Sequence, residues 1–313
     1  MPNPAFDKRC QALLDELRDS GQYKELKHIT SPVGPTVHVE GVGEVVMLCS
    51  NNYLGLADHP EVINAGVEGL RTYGAGTASV RFICGTLDCH RTIEQSIARL
   101  MGKDAALTYV SCWNANEALI PSVAGENDVL LSDALNHASI IDACRLAGKK
   151  VAREIYAHSD MEDLAAKLEA HADKDTRWVI TDGVFSMEGD VANLPRIVDL
   201  CRAHDAMLVV DDSHGTGVLG ERGRGTHEFY DLIDEVDIIT GTLGKALGGA
   251  AGGFVAGPNH VIDLLIQRSR PACSPMRCRP RSRAVRTRRS RCSNASRSAS
   301  RNCMPTSIRC APA

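Results

Sequence analysis

Cys10, Leu13, Leu14 and Leu17 repeat at helical spacing and Gly21 follows them, so an amphipathic helix is expected at the start of the chain. Thr36–Val39 and Val45–Leu48 flank a short loop holding Gly41 and Gly43, the pattern of a hairpin. From about Pro60 onward, helical stretches alternate with short apolar runs. Helices are expected at Glu61–Thr72, Arg91–Met101, Ala115–Val123, Ala138–Leu146, Met161–Ala172 and Leu194–His204. Strands are expected at Ala105–Val110, Val129–Leu131, Val151–Ile155, Trp178–Thr181, Met207–Val210 and Val236–Thr240. Such alternation implies an α/β fold with a largely parallel sheet covered by helices on both faces. Sheets of this kind take their ligands beyond the carboxyl ends of the strands, so the polar residues just after each apolar run are where chemistry is expected.

A length of 313 residues accommodates one large α/β domain plus a smaller one. With 43% hydrophobic and 24% charged residues and no apolar run of membrane-spanning length, a transmembrane helix is not expected. The first residues lack the basic-then-apolar pattern of a secretory signal. Twelve Cys without regular close spacing read as reduced thiols in the cytoplasm rather than a disulfide framework. Charge divides the chain unevenly. Residues 272–313 hold 11 Arg and no acidic residue, so the first 271 residues hold 24 basic residues and all 39 acidic ones.

Two strand ends carry the candidate chemistry. Val209-Val210 runs into Asp211-Asp212-Ser213-His214-Gly215. Taken alone, its two acids could be metal ligands, a general base or helix caps. Ile238-Ile239 runs into Thr240-Gly241-Thr242-Leu243-Gly244-Lys245, and more glycines follow. A lone Lys is usually a solvated surface charge. Here small residues on both sides permit close backbone approach and leave the amine as the reactive group. A Lys for covalent attachment and a carboxylate to keep a ring nitrogen protonated together suit pyridoxal phosphate, and this accounts for Asp211, Asp212 and His214 better than a metal does.

Four more segments carry a family resemblance: Ser50-Asn51-Asn52-Tyr53-Leu54-Gly55-Leu56, Ala78-Ser79-Val80-Arg81-Phe82-Ile83-Cys84-Gly85-Thr86, Ser132 to Asp142, and Thr181-Asp182-Gly183-Val184-Phe185-Ser186-Met187. With the Asp-Asp-Ser-His and Thr-Leu-Gly-Lys motifs, they make the chain resemble the α-oxoamine synthases from about residue 5 to Pro271. These are fold-type I pyridoxal-phosphate enzymes. The stretch from Ser79 to Thr86 favours the glycine C-acetyltransferase (2-amino-3-ketobutyrate coenzyme A ligase) branch over the 8-amino-7-oxononanoate and 5-aminolevulinate synthases. The resemblance implies a large domain with a mostly parallel seven-stranded sheet between helices. It also implies a homodimer and interconversion of 2-amino-3-oxobutanoate plus CoA with glycine plus acetyl-CoA, a step of threonine degradation.

Roles carry over by resemblance. Lys245 matches the cofactor-linked lysine that also shuttles the substrate α-proton, and Asp211 the partner of the ring nitrogen. His214 and Ser186 match the groups near the cofactor's phenolic oxygen. His137 matches the imidazole stacked on the ring; without the resemblance it would read as a helix cap or core His. Ser111, Cys112 and Trp113 lie between a strand and a helix, where free backbone N–H groups bind phosphate, and the family places the cofactor phosphate at the Cys112 and Trp113 amides. Thr242 matches a phosphate-contacting hydroxyl, and Asn51 the side chain that meets the substrate carboxylate. Asp212 is expected to be structural.

The expected organisation is an N-terminal helix and hairpin over 1–55, a cofactor-binding large domain over 56–271, and an Arg/Ser/Cys-rich disordered tail over 272–313. The family's small C-terminal domain is not expected in this chain. Read as codons with two bases dropped, the stretch from Ala272 to Pro280 admits Leu-Phe-Ser-Asn-Ala-Leu-Pro-Pro, which resembles the family's continuation. A frameshift is therefore expected to account for the tail, against a genuine basic nucleic-acid-binding tail or a linker. The alternative is an inactive product whose basic tail binds nucleic acid nonspecifically.

Overall fold

Residues 3–248 and 251–273 are described by the computed structural model. Chain contacts divide it into two compact units at Ser50/Asn51. In the first, α1 (Pro4–Asp19) is capped by Asn3, whose side chain accepts from the Ala5 and Phe6 amides. The expected hairpin is present as β1 (Thr36–Val39) and β2 (Gly43–Val46), antiparallel with Val37 opposite Val45.

The second unit starts with α2 (Pro60–Tyr73), α3 (Arg81–Cys84) and α4 (Asp88–Met101), then β3 (Ala105–Tyr109) and α5 (Cys112–Val123). Next come β4 (Val129–Asp133), α6 (Ala138–Leu146), β5 (Ala152–Tyr156), α7 (Met161–Ala170), β6 (Arg177–Asp182) and α8 (Leu194–Ala203). It closes with β7 (Met207–Asp211), α9 (Thr226–Phe229), β8 (Ile238–Thr242), β9 (Gly253–Gly257), α10 (Asn259–Arg268) and α11 (Arg270–Cys273).

Seven strands form one sheet in the order β3-β9-β8-β7-β6-β4-β5. The neighbours from β8 through β5 are parallel, and β9 runs antiparallel to both β3 and β8. β4, β6, β7, β8 and β9 bury both faces, whereas the edge strand β5 leaves Arg153 and Ile155 exposed. Leu208 and Val210 enter one apolar cluster with Ile97 and Met101 of α4, Leu164 of α7 and Ile197 of α8. Val209 enters the other with Leu119 of α5, Ile140 of α6 and Leu265 of α10. Period-two side chains with helices on either face explain why these strands appear as continuous apolar runs.

The core does not stop at the strand ends. Asp212 is fully buried and accepts hydrogen bonds from the Thr226 amide and hydroxyl and the Thr216 hydroxyl. Burial pushes its pKa up to about 7 against those bonds. It pins the start of α9 to the end of β7, as its expected structural role requires. Gly225 has φ +112°, and a β-carbon there would collide with the Asp212 carboxylate. Gly225→Ala is expected to cost about 2–4 kcal/mol, read as a lower urea midpoint at unchanged m-value.

No helix among the described residues is long and apolar enough to cross a membrane. Ala272 and Cys273 close α11. The rest of the expected Arg-rich tail, with its nucleic-acid-binding alternative, lies outside the described residues.

Candidate active site

Five strand ends meet at one cavity of about 200 Å³. At the end of β3, Ser111 caps α5, its hydroxyl accepting from the Asn114 amide at 3.2 Å. Ser111 therefore supports the cavity, while Cys112 and Trp113 line it from the first helical turn. First-turn amides have no intrahelical acceptor and carry the positive end of the helix dipole. Gly253 of β9 passes so close that a β-carbon would strike the Ser111 carbonyl and the Cys112 amide.

After β4, His137 caps α6: its Nδ1 accepts from the Ser139 amide at 3.2 Å and lies 2.8 Å from the Ser139 hydroxyl. Its own amide donates to Asp182, the last residue of β6, at 2.8 Å. Asp211, at the end of β7, receives the Asn116 amide group at 2.7 Å, the Ser213 N–H at 3.0 Å and the Cys112 thiol at 3.5 Å. A continuous hydrogen-bonded network thus joins His137 through buried Ser139 and Asn116 to Asp211. Burial, reinforced by the Asp211 charge, pushes the Cys112 thiol well above its ordinary range, so it acts as a neutral donor.

Lys245 follows β8. Its Nζ lies 2.7 Å from His214 Nε2, and His214 Nδ1 lies 2.7 Å from the Tyr53 hydroxyl, which donates to Asn51 Oδ1 at 3.1 Å. An ammonium only donates, so His214 Nε2 is the acceptor and its ring proton sits on Nδ1. Burial and then the Lys245 charge pull the His214 pKa down to about 4, keeping it neutral. Burial likewise lowers Lys245, against the opposing pull of Asp211.

Of the residues expected from sequence, Cys112, Trp113, His137, Ser186, Asp211, His214, Thr242 and Lys245 all line this one cavity. Asn51 is tied to it through Tyr53. Ser139, Asp182 and Ser213 line it without having been singled out, and Asn116 and Tyr53 complete its hydrogen bonds. Asp182 carried a usable signal, since it directly follows the apolar run of β6.

Ser186 arrives on the loop after β6, closed by the Val184–Val191 bridge. His158 ties this loop down. Its Nδ1 lies 2.9 Å from Asp133, its Nε2 2.9 Å from Asp190, and its ring meets Phe185 edge-on at 4.5 Å. Two carboxylates facing two ring nitrogens require the imidazolium. Burial alone would lower its pKa, but the bonds to Asp133 and Asp190 outweigh this and raise it. The stability so gained is complete below the unfolded value of about 6.5 and is lost as pH rises through the raised folded value. His158→Gln is expected to cost about 1 kcal/mol at mildly acid pH, screened by the half-exposed Asp190, and less in alkali. Urea midpoints of both proteins across that pH range check it.

An amine, a carboxylate with three donors, a neutral imidazole and two helix-start amides fit an anionic aldehyde with a basic ring nitrogen. The profile described as "Aminotransferase class I and II" matches residues 43–289. The chain belongs to that family. The 2-amino-3-ketobutyrate coenzyme A ligase of Salmonella typhimurium is 49% identical over 268 residues, 85% of this chain and 67% of that protein. The 8-amino-7-oxononanoate synthase of Geobacter sulfurreducens is 47% identical over 257 residues, 82% of this chain and 65% of that one. Among solved structures, serine palmitoyltransferase from S. paucimobilis with bound PLP-myriocin aldimine superposes with a TM-score of 0.80 at 29% identity, covering 88% of this chain and 69% of that one. The chain spans about two thirds of the length of the curated relatives it matches. It has the fold-type I architecture of this family of transferases, and its cofactor is pyridoxal phosphate.

Proposed function

We propose that this family member interconverts 2-amino-3-oxobutanoate plus CoA with glycine plus acetyl-CoA, as a cytoplasmic homodimer acting in threonine degradation. The observation that carries the reading is the Lys245 amine, held at 2.7 Å by a neutral imidazole in the cavity that ends at Asp211. Bound pyridoxal phosphate supplies a place for the electron pair left when the glycine Cα–H bond breaks.

The chain's own groups do the rest. Lys245 Nζ would hold the cofactor and then take the proton from the glycine α-carbon, and burial shifts its pKa downward, the direction that favours a base. His214 Nε2 accepts from that amine and keeps it aimed into the cavity. Asp211, oriented by its three donors, would keep the ring nitrogen charged. The Cys112 and Trp113 amides and the Thr242 hydroxyl, which in this structure donates to the Gly252 carbonyl, would hold the phosphate. His137 would stack on the ring, Ser186 would meet its phenolic oxygen, and Asn51, which accepts from the Tyr53 hydroxyl, would meet the substrate carboxylate. The new C–C bond joins the glycine α-carbon to the acetyl carbonyl carbon. The C–S bond breaks, and CoA leaves as the thiol with a proton.

The 49% and 47% identities to a ligase and a sister synthase make acyl choice the point to test. Thiol release from acetyl-CoA with glycine is expected to exceed release from succinyl- or pimeloyl-CoA with glycine or alanine. A preference for a longer thioester would reassign the reaction within the family, and no thiol release from any of them would overturn the reading.

A further inference from the structure

We propose that Asp182 holds a proton in the cofactor-free pocket and surrenders it when a cationic pyridine ring binds, a positioning and charge-balancing role that rests on the cofactor reading above. Asp182 and Asp211 are register partners on the adjacent parallel strands β6 and β7, so both project from one face of the sheet at the same level. Both line the cavity, with exposures of only 6% and 4%.

Their surroundings differ. Asp211 collects three donors, whereas the Asp182 carboxyl receives one, the His137 amide. The nearby cation does not settle the balance, because Lys245 is turned to His214 and no ion pair among the described residues joins it to either acid. Two neighbouring buried carboxylates cannot both ionise cheaply, and the proton falls to the one with fewer donors.

The groups facing Asp182 are Asp211 on β7, Asp133 on β4, Lys245 after β8 and the His137 amide. Burial and then the Asp211 charge push its pKa up to about 8, against the His137 bond and the Lys245 charge. An arriving pyridinium adds the missing positive charge. The Asp182 O–H bond then breaks and the proton passes to solvent, with no change in oxidation state. Below that pKa, cofactor affinity therefore rises by up to about tenfold per pH unit.

The test uses pyridoxamine 5′-phosphate, which has the ring and the phosphate but no aldehyde, so Lys245 forms no bond to it. Calorimetric titration near pH 7 in buffers of different ionisation enthalpy counts the protons exchanged. The wild type is expected to release about one proton more than Asp182→Asn, and Asp182→Glu to behave as the wild type. Equal counts for wild type and Asp182→Asn would overturn the proposal alone. Failure of the wild type to bind the ligand would overturn the cofactor reading and the proposal with it. Should Asp182→Asn not fold, infrared difference spectra of the wild type decide: binding is expected to remove a protonated-carboxyl band, and its absence before binding refutes the stored proton.

Discussion

Lys245→Ala is expected to abolish covalent capture of pyridoxal phosphate and to lower turnover by about 10⁴-fold or more, because one side chain serves as both attachment point and base. The visible absorbance of a lysine-bound cofactor should be missing from the variant at every cofactor concentration. The fold should persist, since the Lys245 side chain lies in the cavity and makes its hydrogen bond to His214 rather than to a core group. An unchanged melting temperature with no absorbance band is therefore the diagnostic pair. A band that survived would move the reactive amine elsewhere.

Asp211→Asn is expected to give a different pattern. Lys245 remains, so the band should form, but kcat should fall by about 10²–10³-fold and cofactor affinity should weaken. The amide carries no charge to hold the ring nitrogen protonated. It also brings an N–H₂ group to a place where Asn116 and Ser213 already donate, so one donor faces another. Spectral titration gives affinity and stopped-time assays give kcat. Because the two substitutions differ in the band, they distinguish loss of attachment from loss of electrostatics.

Much of this architecture was legible in the chain. The strands at Val129, Trp178 and Met207 are runs buried on both faces, too short for helices, and the residues just beyond them are polar because they face a cavity. β9 was not legible. Its core of Phe254, Val255 and Ala256 is bounded by Gly253 and Gly257 and preceded by a glycine-rich stretch, which reads locally as loop. Gly253 stands there for clearance against α5, a tertiary reason that strand propensity does not express. Asn116 and Tyr53 were silent for a related reason. Their partners Asp211 and His214 lie 95 and 161 residues away along the chain, and no local periodicity encodes such a meeting. The polar residues that position others were the ones missed, whereas those with reactive groups in motifs were found.

The reversed strand β9 also governs when this machinery can exist. It sits between β3 and β8, and Ala105 of β3 pairs with Gly257, roughly 150 residues downstream. During synthesis at about 5–20 residues per second, β3 waits on the order of ten seconds for its neighbour to emerge from the ribosome. Throughout that interval the nascent chain exposes an unpaired strand edge, the kind of surface that holding chaperones cover. Vitamin loading is therefore expected to follow the threading of β9 between β3 and β8.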